Sequence, residues 1–391
     1  MTYRLLHLAD LHLDRPFAQM GCHGELARRR RQGLRDALRR AGEAAQEHGC
    51  GAVTIAGDLF EHERAGAETA QFLTETFAAW APMRVLLAPG NHDPLVPGSI
   101  YLRARWPGNV HVFRSSLLEP LELTKDVTVW GLGHHEPAWT GNPLQGGPRA
   151  DASRHGAGAG DGVHLALFHG AETGSRPAGK GVHGPFAAAE IREHGYALAL
   201  CGHYHSRHVD LATGLVYPGS PEPLAFDESE PRGPVLVEIG SRGEVRCTGL
   251  DTNRWHAGIV ECRLDGVTSL TATVDRISAE VLTATAGRPL DRTTLRVDLV
   301  GAVPPHLGVD LFDCESAVRD ATGVAAIRLR DLTAPAADLE ALAAERTTRG
   351  AFVRVALETL ATAESAEAAS VVSDALRYGL EAFAGSEVGL R

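Results

Sequence analysis

The chain has 391 residues, 44% of them hydrophobic and 22% charged, which provides for two or three packed domains and excludes a globally disordered polymer. A formal net charge of -11 argues against a generally basic coat for nucleic acid, although a local basic groove remains compatible with it. The six cysteines, Cys22, Cys50, Cys201, Cys247, Cys262 and Cys314, show no paired spacing, which fits reduced thiols better than a disulfide framework or a zinc ribbon.

Five apolar, strand-like runs each lead into metal-ligand residue types. Residues 5–9 lead into Asp10 and His12. They follow Met1 so closely that no signal peptide could be removed without losing the site, and no apolar run approaches the roughly 20 residues that span a bilayer; the expectation is a cytoplasmic protein with no membrane association. Residues 25–47 have helical spacing of Leu26, Leu34, Ala37, Leu38, Ala41 and Ala45. Residues 52–56 then lead through Gly57 into Asp58. A second helix is predicted over residues 67–80, and residues 85–88 lead through Pro89 and Gly90 into Asn91, His92 and Asp93. Residues 141–162 are Gly, Ala, Pro and polar types without periodicity and read as a long loop. Residues 163–168 end at His169, and residues 197–201 lead through Gly202 into His203 and His205. Short buried strands bounded by Gly and Pro place ligands just beyond their ends in α/β sheets.

After Asp251 the ligand types stop. Residues 259–264 and 293–300 read as strands with a helix between them at 274–286, and from Ala336 onward Ala, Glu, Leu and Arg follow helical spacing, punctuated by Gly350 between two helices. The expected fold class is α/β, with domains at 1–250, 251–335 and a helical tail at 336–391 suited to partner binding.

Asp, His and Asn donors without thiolate suit two divalent ions, Mn²⁺ first and Fe²⁺ or Zn²⁺ as alternatives, rather than a structural zinc. The spacings Asp10-Leu-His12 and His203-Tyr-His205 deliver both side chains of each pair to one side of an extended segment. Asp58 has two oxygens and can bridge. Two divalent cations against two carboxylates leave such a centre anion-seeking even in an acidic protein. They would acidify a water between them for in-line attack at phosphorus, and His92, oriented by the carboxylate of Asp93, would protonate the leaving oxygen.

The ordered set Asp-x-His, Gly-Asp, Gly-Asn-His-Asp, His, Gly-His-x-His resembles the calcineurin-like metallophosphoesterase superfamily, whose fold is a β-sandwich flanked by helices. The resemblance implies that Asp10, His12, Asp58 and His205 hold one metal and that Asp58, Asn91, His169 and His203 hold the other, with His92 catalytic. Gly57-Asp58-Leu59-Phe60-Glu61, Pro89-Gly90-Asn91-His92-Asp93-Pro94 and Tyr217-Pro218-Gly219-Ser220-Pro221-Glu222 are similar to bacterial SbcD/YhaO-type DNA repair exonucleases over residues 3–250. That similarity implies DNA as substrate, a small capping α/β domain, a tail engaging an SbcC-like ABC ATPase, and a homodimer. One departure stands out: such relatives often carry His three positions after the bridging Asp, where this chain has Glu61, with His62 next.

On the first helix Arg28, Arg31, Arg35 and Arg39 share a face that could meet a DNA backbone; the alternative is a solvated face paired with Asp36, Glu43 and Glu47. His7, inside a strand, reads as a buried hydrogen-bonded residue rather than a ligand, His134 and His135 as a loop pair, and residues 217–221 as a rigid turn near the site. The rival functions are a small-molecule or cyclic-nucleotide phosphodiesterase and, from a different class, a non-catalytic repair scaffold.

Overall fold

The computed structural model describes residues 2–145, 162–174, 181–304, 310–336, 339–363 and 365–383. Most of the long loop expected at 141–162 lies outside them. The chain divides into two compact units: Met1–Gly258 with Arg288–Leu295 and Val324–Ala326, and Ile259–Gly287 with Arg296–Gly323 and Ile327–Arg391.

In the first unit, strands β1 (Tyr3–Leu8), β2 (Ala52–Ala56), β3 (Arg84–Ala88), β4 (Val110–Val112), β5 (Glu119–Thr124), β6 (Val127–Gly131), β7 (Val163–His169), β8 (Leu198–Gly202), β9 (His208–Asp210), β10 (Leu215–Tyr217), β11 (Val235–Ile239) and β12 (Val245–Gly249) form two six-stranded sheets. Their orders are β12-β11-β1-β2-β3-β4 and β5-β6-β7-β8-β10-β9. The two-residue period of each strand sorts its side chains into layers. Leu5, Ala52, Ala56, Leu86 and Ala88 face Val129, Leu165, Leu167, Leu198 and Leu200 between the sheets. The alternating set Leu6, Leu8, Val53, Ile55, Val85 and Leu87 packs outward with Leu34 and Leu38 of helix α1 (Gly24–Glu47) and Phe72, Leu73 and Phe77 of α2 (Ala67–Ala79). On the opposite outer face Trp130, Ala166, Phe168 and Cys201 pack with Phe186, Ile191 and Tyr196. The short helices α3 (Ile100–Arg103) and α4 (Ala188–Glu193) lie in the connections. Each fully buried Leu or Phe in these layers contributes on the order of 2 kcal/mol, and a charge at Leu167 or Leu200 would disrupt the inter-sheet layer.

Parallel pairing of β1 with β2, β2 with β3, and β7 with β8 aligns their C-terminal ends, and His169 is in register with Gly202. The loops that carry the five candidate ligand groups therefore leave from neighbouring strand ends of two stacked sheets.

In the second unit, helix α5 runs over Leu270–Ala284 and α6 over Leu311–Thr322. The start of α5 precedes the expected residue 274 because Ser269 caps it, its Oγ accepting the Ala272 N–H at 3.2 Å. Among the described residues, the C-terminal region holds three helices, α7 (Leu339–Ala344), α8 (Thr348–Ala361) and α9 (Ala366–Phe383), around Val353, Ala356 and Leu376. Gly350 does not separate two helices as expected. It lies in the first turn of α8, where its N–H donates to the Thr347 hydroxyl at 3.1 Å, so the cap sets the boundary. Among the described residues, no helix is long and apolar enough to cross a membrane.

Candidate metal centre

The loop after β1 is stitched to the loop after β2: Asp10 N–H donates to the Gly57 carbonyl at 3.1 Å and His12 N–H to the Asp58 carbonyl at 2.8 Å. Asp10, His12, Asp58 and His203 adopt positive φ of 54°, 49°, 50° and 109°, a conformation that L side chains occupy only when surrounding structure enforces it and that clusters at functional sites. Gly57 turns at φ 76°, and a Cβ on Gly202 would stand 2.0 Å from the Ala56 carbonyl oxygen. The glycines thus bring the two sheet ends within reach of each other.

Three histidines present the same nitrogen. The Nδ1 of His12 lies 2.9 Å from Glu61 Oε1, that of His169 2.9 Å from the Ala56 carbonyl, and that of His205 2.7 Å from Glu228 Oε1. A carbonyl or an ionised carboxylate only accepts, so each Nδ1 carries the proton and, in the neutral ring, Nε2 is the atom with the lone pair. The Nε2 of His12 is buried with no hydrogen-bond partner among the described residues and faces Asp58 Oδ2 at 3.6 Å. That of His169 faces Asn91 Oδ1 at 2.9 Å and Asp58 Oδ2 at 3.4 Å, and burial holds this ring well below the usual histidine range and neutral. Lone pairs converging on oxygens repel unless a cation lies among them. This all-N/O donor set with outer hydrogen-bond partners is the arrangement of a divalent-metal site.

One ligand atom from each of Asp10, His12 and His205 falls within 4.8 Å of the others, as does one from each of Asp10, Asp58 and His169. His203 joins through its backbone, whose N–H donates to both Asp10 carboxylate oxygens at 3.1 Å. Its Nε2 donates to the Gly181 carbonyl at 3.0 Å, the opposite tautomer from the other three. All seven predicted metal-ligand residues are thus brought to one place.

His92 is the accessible member, 43% exposed at its side chain against 1% for His12. It is not oriented by Asp93 as expected. Its Nδ1 pairs with Glu61 Oε2 at 3.0 Å, and this hydrogen bond, with the charges of Asp58 and Glu61 behind it, pushes the imidazole up to about 9 against the cost of burial. Asp93 is hydrogen-bonded elsewhere. Its oxygens accept the N–H groups of Gly90 at 2.7 Å, Asp58 at 3.0 Å and Leu59 at 2.7 Å, and the Tyr101 hydroxyl at 2.7 Å. Asp93 is therefore a buried brace between two loops, and Glu61 is the orienting carboxylate.

Glu228 escaped the sequence reading. It accepts from His205, from Ser220 Oγ at 2.9 Å and from the Leu224 N–H at 2.9 Å; burial opposes its ionisation, but His205 and Arg232 hold its carboxyl at about 2. The turn at 217–221 braces this wall, with Ser220 N–H donating to the His205 carbonyl at 3.0 Å. His7 is buried between Thr54 Oγ1 at 3.0 Å and the Cys201 carbonyl at 3.2 Å. His134 is buried and donates to the His169 carbonyl at 2.7 Å, whereas His135 is exposed.

Along the arginine face of α1, carboxylates pair with three of the four guanidiniums. Arg35, 17% exposed, pairs with Glu68 and Asp14, Arg39 pairs with Asp36 at 2.8 Å, and both guanidiniums lie over Phe72 of α2. Arg28 pairs with Glu25 at 2.6 Å, and Arg31 is half-buried.

The family model described as "Calcineurin-like phosphoesterase" matches residues 3–207. A Bacillus subtilis (strain 168) protein called uncharacterized metallophosphoesterase YhaO is 27% identical over 243 residues, 60% of this chain and 57% of the relative, so the match spans little more than half of that protein. A crystal structure of TT1561 from Thermus thermophilus aligns with a TM-score of 0.37 at 16% identity, covering 64% of this chain and 99% of that one. A family match over more than half the chain, ending just past the last of the converging histidines, makes this chain a member of the calcineurin-like phosphoesterase family.

Proposed function

We propose that the chain is a two-metal phosphodiesterase acting on DNA, and that it serves as the nuclease subunit of a repair complex. The observation that carries the chemistry is the set of three histidines whose Nδ1 atoms are held by Glu61, the Ala56 carbonyl and Glu228, with the Nε2 atoms of His12 and His169 facing Asp58. Asp10, His12, Asp58 and His205 would hold one ion and Asp58, Asn91, His169 and His203 the other, with Asp58 shared between them. Two divalent ions bound there would supply an acidified water and polarise the phosphoryl oxygens. Asp58 Oδ1 accepts the His92 N–H at 2.8 Å, which fixes the backbone carrying the acid. His92, charged through its pairing with Glu61, delivers a proton to the leaving oxygen. Imidazole donors favour Mn²⁺ over Mg²⁺, with Fe²⁺ or Zn²⁺ as alternatives.

DNA as substrate rests on the similarity of the three motif stretches to SbcD/YhaO-type exonucleases. A homodimer through helices of the nuclease domain and an SbcC-like ABC ATPase partner on the C-terminal helices, where Val355 and Val371 are exposed, belong to the same reading. The six free cysteines suit a reducing cytoplasm. The test is incubation of purified protein and Mn²⁺ with end-labelled single- and double-stranded DNA, beside a chromogenic diester, a phosphomonoester and a cyclic nucleotide. Chelator-sensitive DNA cleavage is expected. Turnover of the small diester or cyclic nucleotide without DNA cleavage would favour the small-substrate reading, and no turnover of any substrate would favour the scaffold.

A further inference from the structure

We propose that a groove along α1, lined by neither His92 nor any candidate metal ligand, is a second binding site for phosphate anions, those of a nucleotide or of a polynucleotide backbone. The groove has a volume of about 420 Å³ and places Arg28, Arg29, Arg40, Arg254 and Arg292 around Trp255. Its α1 members recur at three- to four-residue intervals, so the groove follows one side of the helix.

The walls are built in. A Cβ on Gly33 would stand 2.6 Å from Trp255 Nε1, so glycine is what lets the indole lie against the helix. Glu222, buried, accepts the N–H groups of Arg254 at 3.0 Å and Trp255 at 2.9 Å and also binds the Arg40 guanidinium. The segment from Tyr217 to Glu222 therefore serves two places at once. Ser220 braces Glu228 and His205, while Glu222 shapes the groove.

The charge is only partly cancelled. Arg28 pairs with Glu25 at 2.6 Å, Arg29 with Asp291 at 3.2 Å and Arg40 with Glu222, whereas the side chains of Arg254 and Arg292 have no ion-pair or hydrogen-bond partner among the described residues. Asp36 lines the groove but is held by Arg39 at 2.8 Å. Behind Trp255, the buried Arg30 guanidinium lies 4.6 Å from the ring centroid, with Nε and Nη1 lacking hydrogen-bond partners among the described residues. A solvated charged face alternates signs and pairs them. Unpaired guanidinium forks in a concavity of ligand size match the planar, bidentate geometry with which arginine recognises phosphate.

The test uses the full chain with excess chelator, so that binding is read without hydrolysis and independently of the proposed phosphodiesterase. Anisotropy of a labelled single-stranded oligonucleotide and calorimetry with pyrophosphate and a nucleoside diphosphate are compared for wild type, Arg254→Ala/Arg292→Ala, Arg254→Lys/Arg292→Lys and, as a control, Arg242→Ala, an exposed arginine outside the groove. The double alanine variant should bind at least about tenfold more weakly, since hydrogen bonds to charged groups are each worth roughly 1.5 to 3 kcal/mol. Its log K against log salt should flatten by about 0.7 per lost single-strand contact. The lysine pair should retain part of the affinity, and Arg242→Ala should match wild type. Thermal melting of each variant checks the fold. Diphosphate binding that competes with the oligonucleotide identifies a nucleotide site, and oligonucleotide binding alone identifies a backbone site; both support the shared chemistry. Absence of phosphate binding by wild type, or unchanged affinity in the double alanine variant, overturns it. Groove binding in a protein that cleaves no DNA would instead count against the nuclease reading alone.

Discussion

The carboxylate of Glu61 holds His92 by Nδ1 at 3.0 Å while its other oxygen holds Nδ1 of His12 at 2.9 Å. One side chain therefore sets both the tautomer of a buried candidate ligand and the charge of the exposed candidate acid, whose rings meet edge-on at 4.7 Å between centroids. In the proposed mechanism, the residue that departs from the expected histidine would thus couple metal binding to proton delivery.

Glu61→Gln should lower turnover of a diester by about 10- to 100-fold, the usual loss when an outer hydrogen-bond partner of a metal site is weakened. Glu61→Ala should lower it further, with reduced metal affinity through His12. Steady-state kinetics at saturating Mn²⁺ separate the two effects: a kcat loss that persists at full metal occupancy belongs to His92, and one that added metal repairs belongs to His12. Wild-type kcat in both variants would remove Glu61 from the mechanism.

His92→Ala should keep both metals and lose roughly 10²- to 10⁴-fold in turnover, the range of general acid catalysis, with a smaller loss on substrates whose leaving group needs no proton. Asp93→Asn should behave differently. It weakens the brace on the Gly90, Asp58 and Leu59 amides, so thermal stability and metal affinity should fall together. Metal analysis and melting curves distinguish the pair; a stable, metal-replete and inactive Asp93→Asn protein would restore Asp93 to a direct catalytic role.

His7, fully buried between the sheets, is pushed down to about 4 by loss of solvent. Because the folded-state value lies below the unfolded one, the unfolded chain binds more protons between about pH 6.5 and 4. The favourable contribution of neutral burial is complete above the unfolded value and is lost as pH falls toward 4, on the order of 3 kcal/mol in all. Urea titrations of chelated protein at pH 7.5 and 5 should show a smaller drop for His7→Gln than for wild type. Equal drops would mean that His7 does not contribute to acid sensitivity.

Much of this centre could be read from sequence because its signal is local. A strand that ends in a ligand type is a pattern of six or seven consecutive residues, and parallel pairing of adjacent strands does the rest. What escaped depended on packing. Adjacency suggested that Asp93 orients His92, yet Asp93 is taken up by the Gly90, Asp58 and Leu59 amides and the Tyr101 hydroxyl, and the partner is Glu61, from the loop after another strand. Glu228 reaches His205 from an irregular segment with no periodicity to flag it. The spacing of Arg28, Arg31, Arg35 and Arg39 identified a helix face correctly in geometry, but not what covers it: Phe72 and Glu68 of α2 occupy Arg35 and its neighbour Arg39. The basic groove was hidden because Arg254 and Arg292 are far from α1 in sequence and meet it only in the fold.

At equal occupancy Mn²⁺ should support faster diester hydrolysis than Mg²⁺, since four histidines suit the former and Mg²⁺ prefers oxygen donors and retains its waters. A metal series on chelator-stripped protein reads this directly, and equal rates would show that imidazole ligation does not govern the choice of ion.

Titrating chelator-stripped protein with Mn²⁺, while following bound metal by elemental analysis and hydrolysis of a chromogenic phosphodiester in the same samples, tests the metal centre most directly. Activity should appear as the second equivalent per chain binds, and Asp58→Asn, lacking the shared carboxylate, should lose both occupancy and rate. Hydrolysis that persists in metal-free protein, or a chain carrying two ions that cleaves no phosphodiester, would contradict a two-metal phosphodiesterase.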